Sequence, residues 1–315
     1  MSKHKLKNSL IEVLKEGIGI YISNIDKFLL YMLFPVFGQI LGIALSFGLT
    51  LGFADKIAAK ADSLSSALLL ILLLAIPGLL IFAKAFWDFM VAYVALNSMT
   101  EGAYTTGHVY DFKAHNEVAT RRTFKYILFL LALSILMSVG TSIFFIIPGF
   151  VLWIYFILVF QVFTFEPDLS VPEYFKRSFL LVKGDWARTF FLMLILTFFS
   201  IYILTQGITV IFDYLNLTKT FCSIFDFVGK AMPLELINRV LVYVKLTPLT
   251  VSMISEWIFV SVLGFVIAGL TLPIRSICWS LWYKTLADKK EPYIPEAVRK
   301  NKRVAQKKYN NKVDI

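Results

Sequence analysis

The chain has 315 residues, 58% of them hydrophobic and only 17% charged, with a mean hydropathy of +0.74 and a formal net charge of +10. That balance excludes a water-soluble globular chain and a disordered one, both of which need more charge and less apolar surface. It leads to an all-α polytopic membrane helix bundle, because roughly 20 apolar helical residues match the roughly 30 Å of bilayer hydrocarbon.

In chain order, residues 1–27 are mixed polar and amphipathic, and Ser9-Leu10-Ile11-Glu12 fits a capping box that opens a helix. The apolar stretch that follows is too long for a signal h-region and lacks a small-residue cleavage site, so the N-terminus is expected to be retained. Six spans are expected, at 28–53, 68–97, 126–146, 148–165, 189–212 and 257–283, within a single membrane domain of residues 1–288. In the first, Gly38 with Gly42 and Gly48 with Gly52 make small-xxx-small steps that favour close helix packing, and Gly264 with Ala268 does the same in the last.

The second span is too long for an upright crossing, which calls for tilt, a break near Pro77 or a protruding end. It carries Lys84 and Asp88, four residues apart and so on one helix face, where either charge alone costs about 2.5–3.5 kcal/mol near the bilayer centre. Two readings of the pair stand open: part of a substrate or proton path, or a structural ion pair. Arg275, two residues after Pro273 in the sixth span, is placed to reach the cytoplasmic interface along its stem. These three residues form the candidate intramembrane polar site. No catalytic, cofactor-binding or metal-ligating set is legible, since His4, His108 and His115 have no metal-ligand spacing, and Cys222 and Cys278 are expected on opposite sides of the membrane.

Prolines recur in the even-numbered spans, in Ile76-Pro77-Gly78, Ile147-Pro148-Gly149 and Leu272-Pro273, while Arg122-Thr123-Phe124 and Arg188-Thr189-Phe190 open the third and fifth. The pattern fits three repeated units, each an amphipathic segment followed by a membrane hairpin. The connector between the fourth and fifth spans has a second capping box, Ser170-Val171-Pro172-Glu173, with Phe175, Phe179 and Val182 on one face. Its charges are Glu173, Lys176, Arg177 and Lys183, and Gly184 is placed to end it, so it is expected to lie in the headgroup plane. The segment 213–256 is only partly polar. It predicts two short amphipathic helices on either side of Pro233.

Phe165-Glu166-Pro167 and the run from Ser170 through Gly184-Asp185-Trp186-Ala187-Arg188-Thr189-Phe190 resemble the connector of a family of bacterial six-helix inner-membrane proteins. That family includes YciC-type proteins and the membrane domain of glycerophosphodiester phosphodiesterases. The close resemblance covers residues 165–192, and the six-span layout with its Ile-Pro-Gly turns extends it over roughly 8–288. It implies a bacterial inner-membrane location and brings no catalytic residues, and the outer loops and tail are too short for a phosphodiesterase domain.

Of the 31 Lys and Arg, 23 fall on the side that holds both termini and 6 on the other, which makes both termini cytoplasmic. The tail, 289–315, is basic, and its cluster from Arg299 to Lys308 is suited to anionic headgroups. The expected partner is thus the lipid bilayer rather than nucleic acid, with no cofactor and with protein partners unspecified. The first functional reading is a non-enzymatic membrane protein of lipid homeostasis, the alternative a small-molecule or lipid transporter, and the third a membrane-embedded lipid enzyme.

Overall fold

The computed structural model describes residues 9–295, apart from positions 61, 110, 144–145 and 233. His4, Pro233 and the basic cluster from Arg299 to Lys308 lie outside the described residues. Among the described residues the regular structure is all helical. The N-terminal half holds α1 (Leu10–Ser23), α2 (Ile25–Gly52), α3 (Ala54–Lys60), α4 (Leu64–Thr106), α5 (Phe112–Thr120), α6 (Thr123–Ile143), α7 (Ile146–Phe156) and α8 (Val159–Phe165). Then come α9 (Val171–Val182), α10 (Trp186–Thr197), a π-helical stretch (Phe198–Gln206), α11 (Gly207–Tyr214), α12 (Leu217–Ser223), α13 (Asp226–Ala231), α14 (Leu234–Tyr243), α15 (Val251–Leu270) and α16 (Leu272–Lys289).

Among the described residues five helical stretches are long and apolar enough to cross a membrane: Ile25–Thr50, Ser65–Thr106, Thr123–Gly140, Trp186–Tyr214 and Val251–Leu270. Gly149–Phe165 is apolar but shorter, and α7 and α8 are separate helices within it. The expected span 257–283 is likewise divided, since α15 ends at Leu270 and Pro273 is the second residue of α16, where a missing N–H leaves no helix bond unmade. No break occurs at Pro77, because α4 runs through it for 43 residues. That is roughly 64 Å at about 1.5 Å per residue, twice the hydrocarbon thickness. The three prolines therefore sit at different helix positions: deep inside α4, third in α7 and second in α16.

The chain divides into two compact units. Unit one gathers Met1–Ile25, Tyr93–Met193 and Ile274–Ile315. Its core is aromatic: the Phe129 ring of α6 lies 5.2 Å from Phe163, 5.3 Å from Phe160 and 6.0 Å from Tyr174, which ties α6, α8 and α9 together. The stripe Val13, Gly17 and Ile20 buries α1, and a Cβ on Gly17 would stand 2.7 Å from Cys278 Sγ of α16. Ser9 precedes α1 without making a side-chain cap. In α9 the capping box forms, with the Glu173 carboxylate accepting from the Ser170 N–H at 2.9 Å, and Gly184 ends the connector at φ +93° as its sequence position predicts.

Unit two gathers Asp26–Ala92 and Leu194–Pro273. In it α2 and the first part of α4 touch backbone to backbone. A Cβ on Gly42 would lie 2.5 Å from Phe82 N, and one on Gly38 would lie 2.8 Å from Ala85 Cβ. The Ser46 hydroxyl crosses the same seam to Ala75 O at 3.3 Å. Gly38 and Gly42 thus make the close packing expected of them, whereas Gly48 and Gly52 have open space and Gly264 meets only Thr205 at ordinary distance. Between α11 and α15 the chain folds as three short helices, α12 to α14, rather than two. Phe212, Phe221 and Phe259 cluster there, with ring centroids 5.4–6.1 Å apart. Outward-facing Leu68, Leu69, Leu72, Leu73, Leu79 and Leu80 leave α4 apolar on its exposed sides, a surface stable against lipid and not against water.

Candidate functional site

Lys84 and Asp88 are brought together by one turn of α4, where the ammonium donates to both carboxylate oxygens. The pair belongs to unit two and stands outward, Lys84 being 62% exposed, with the Phe34 ring 5.8 Å beneath its ammonium. Arg275 falls in unit one, half-buried in the first turn of α16, where it interacts electrostatically with Tyr93. The structure joins the first two candidate residues and gives the third a different setting.

Unit one holds two polar clusters that sequence reasoning did not single out. The first centres on Asn97 of α4, fully buried. Its Oδ1 accepts from Ser276 Oγ at 2.6 Å, Ser280 Oγ at 3.0 Å and Gln161 Nε2 at 3.2 Å, and its Nδ2 donates to Thr164 Oγ1 at 3.1 Å. Ser276 and Ser280 are one turn apart on α16, as Asn97 requires of two donors reaching one oxygen. The Gln161 Oε1 is buried without a partner.

The second cluster is the latch at Glu166. Glu166 Oε1 accepts from Arg177 Nε at 2.8 Å and from the Tyr283 hydroxyl at 2.6 Å. Arg177 NH1 donates to Glu291 O at 3.4 Å, and the Lys290 ammonium donates to Leu180 O and Leu181 O, both at 2.7 Å, closing the C-terminal end of α9. This overturns the expected orientation of α9. Its buried stripe is Tyr174, Arg177, Ser178, Leu181 and Val182, with Arg177 only 6% exposed. Phe179 meets Tyr155 in a tilted pair at 4.6 Å, and Phe175 meets Phe129 and Phe156 at 5.9 and 5.7 Å, so these rings pack on α6 and α7. The physical reason is pairing: a guanidinium can be buried when a carboxylate and carbonyls meet its donors. The signal lay in the i, i+3, i+4, i+7, i+8 spacing of those five residues, masked by reading every charge as water-facing.

Around the same connector, Pro167 O accepts from Lys125 Nζ at 2.9 Å, Tyr174 OH at 3.3 Å and Arg122 NH1 at 3.4 Å. Lys284 pairs with Glu101 and lies 4.7 Å from the Tyr104 ring. Both cysteines are free thiols. The described residues, all helical in their regular structure and with five apolar helices of crossing length, have the build of a multi-pass membrane protein. No protein-family model, curated protein or solved structure matches the chain.

Proposed function

We propose that the chain is a non-enzymatic component of the bacterial inner membrane, crossing it six times with both termini cytoplasmic, and serving the lipid phase of the envelope. The observation that carries this reading is the use made of the ionisable groups in unit one. Arg122, Lys125, Glu166, Arg177, Lys284 and Lys290 are engaged in caps, carbonyl contacts and ion pairs that hold helices. Groups so engaged are poorly placed for acid–base work, which needs a side chain free to reach a substrate. The sixth crossing would be α7 with α8, and the charge asymmetry of 23 against 6 sets the orientation.

Cysteine accessibility tests the topology. In a background without Cys222 and Cys278, cysteines at Ser65 and Asn238 label with an impermeant reagent from outside, and one at Asn310 does not; labelling at 310 alone reverses the orientation. A deletion strain tests the role, with changed phospholipid composition by mass spectrometry as the expected result, restored by the intact gene. Unchanged lipids count against the lipid reading.

A second reading, as a transporter, draws on Lys84 and Asp88, an outward-facing ion pair within an apolar span. Lys84→Met with Asp88→Leu decides between them. A double variant that inserts normally and complements the deletion leaves the pair structural. One that inserts normally and fails to complement favours transport.

A further inference from the structure

Unit two carries an open cleft of about 660 Å³ between α11, α12, α13 and the start of α15. Asp213, Asp226 and Glu256 line it together with Lys219 and Lys230, and Cys222, 8% exposed, is also in its lining. Three carboxylates against two ammonium groups leave the lining one negative charge in excess. Asp213 Oδ1 accepts from Thr218 Oγ1 and Asp226 Oδ1 from Ser255 Oγ, so each is oriented through one oxygen and keeps the other. Burial raises the pKa of the Cys222 thiol, and the negative charges of Glu256, Asp213 and Asp226 raise it further.

Two ligand classes fit poorly. Among the described residues no three His, Cys, Asp or Glu side chains converge closely enough to hold a metal ion. A simple organic cation would satisfy the carboxylates and leave both lysines facing it. The volume is that of a small-molecule site, and the charges are of both signs. We propose that this cleft binds a zwitterion, its ammonium among Asp213, Asp226 and Glu256 and its anionic group at Lys219 and Lys230. This goes beyond the reading of the protein as a lipid-phase component. The same chemistry is offered by a free amino-phosphate and by an ethanolamine lipid headgroup.

Cys222 supplies the test, since a ligand in the cleft covers it. The full chain carrying Cys278→Ser is placed in phosphatidylglycerol nanodiscs and its labelling by N-ethylmaleimide is timed. O-phosphoethanolamine is expected to slow labelling saturably, with ethanolamine or inorganic phosphate much less effective. Glu256→Gln, a change at an exposed side chain, is expected to weaken the protection at least about fivefold, as loss of one charge-assisted contact predicts. Calorimetric titration is expected to give the same saturation and covers the case of a thiol slow to label.

Nanodiscs containing phosphatidylethanolamine separate the sources. Slower labelling there with no added ligand identifies a headgroup, and equal rates in both lipids until O-phosphoethanolamine is added identify a free zwitterion. The proposal is overturned by absence of both heat and protection, by equal protection from ethanolamine or phosphate alone, or by unchanged protection in Glu256→Gln.

Discussion

Unit one and unit two hold themselves together by different means. In unit one the ties are polar and distant in sequence, from Asn97 to Ser280 and from Arg177 to Glu291. In the α2–α4 seam of unit two the contact is made by backbones, with Gly42 against Phe82 and Gly78. The difference follows from the surroundings each must tolerate. Lipid offers no hydrophobic drive for helices to associate, so apolar helices gain by close approach at small residues, while a connector rich in Arg, Lys and Glu must pair its charges before it can be buried.

The strongest way to break this comparison is at Arg177. Arg177→Met strands the part-buried Glu166 carboxylate with Tyr283 as its remaining side-chain donor, and the expected loss is about 3–5 kcal/mol. Unfolding of the detergent-solubilised protein, followed by heat or denaturant, measures it. Glu166→Gln added to Arg177→Met should recover a large part, because no unpaired charge is then left behind. A loss under about 1 kcal/mol would show the latch to be a surface pair of the ordinary kind.

The seam in unit two gives a smaller effect and an internal control. Gly42→Leu forces a side chain into the backbone of Phe82 and Gly78, and about 1–3 kcal/mol of destabilisation is expected from overpacking. Gly48→Leu, two turns further along α2 with open space around it, should stay within about 0.5 kcal/mol. Equal losses at both positions would mean that close approach at Gly42 is not the cause, since helix propensity favours Leu over Gly at either site.

What was legible in the sequence tracks the same division. Apolar length and small-residue steps are written locally, so the five helices of crossing length among the described residues and the Gly38–Gly42 seam could be read from spacing alone, as could the capping box at Ser170, whereas the fourth and sixth expected spans are each divided between two helices. The cluster at Asn97 depends on partners 64 to 183 residues away, and Glu166 meets Tyr283 across 117 residues as well as Arg177 across 11, so no local pattern announces the longer pairings. Arg177 illustrates the cost of a one-residue rule: counted as a charge it belongs in water, but placed on the stripe with Tyr174 and Leu181 it belongs inside. Gly48 shows the converse, a correct small-residue spacing with nothing packed against it. Lys84 and Asp88 were legible as a pair because their partner is four residues away.

The smallest effect is expected in unit one, where stability should respond to pH through His115. His115 of α5 is buried, its Nδ1 3.0 Å from Ser98 Oγ and its Nε2 without a partner. Burial holds its pKa below the ordinary 6.5, with Asp111 opposing part of that effect. Protonation would place a charge and a second N–H on a buried ring whose Nε2 meets no acceptor. A folded pKa below the unfolded one means the unfolded chain binds more protons as pH falls. His115 therefore contributes its full stability above pH 6.5, and the contribution declines as pH drops below that value toward the folded pKa. Between pH 7.5 and 5.5, above the range where carboxylates titrate, the unfolding temperature should fall by a few degrees at most more than that of His115→Gln, which keeps a polar partner for Ser98 without a titrating ring. Parallel pH profiles for the two proteins would mean that water reaches Nε2 and that this corner of unit one is more open than its burial implies.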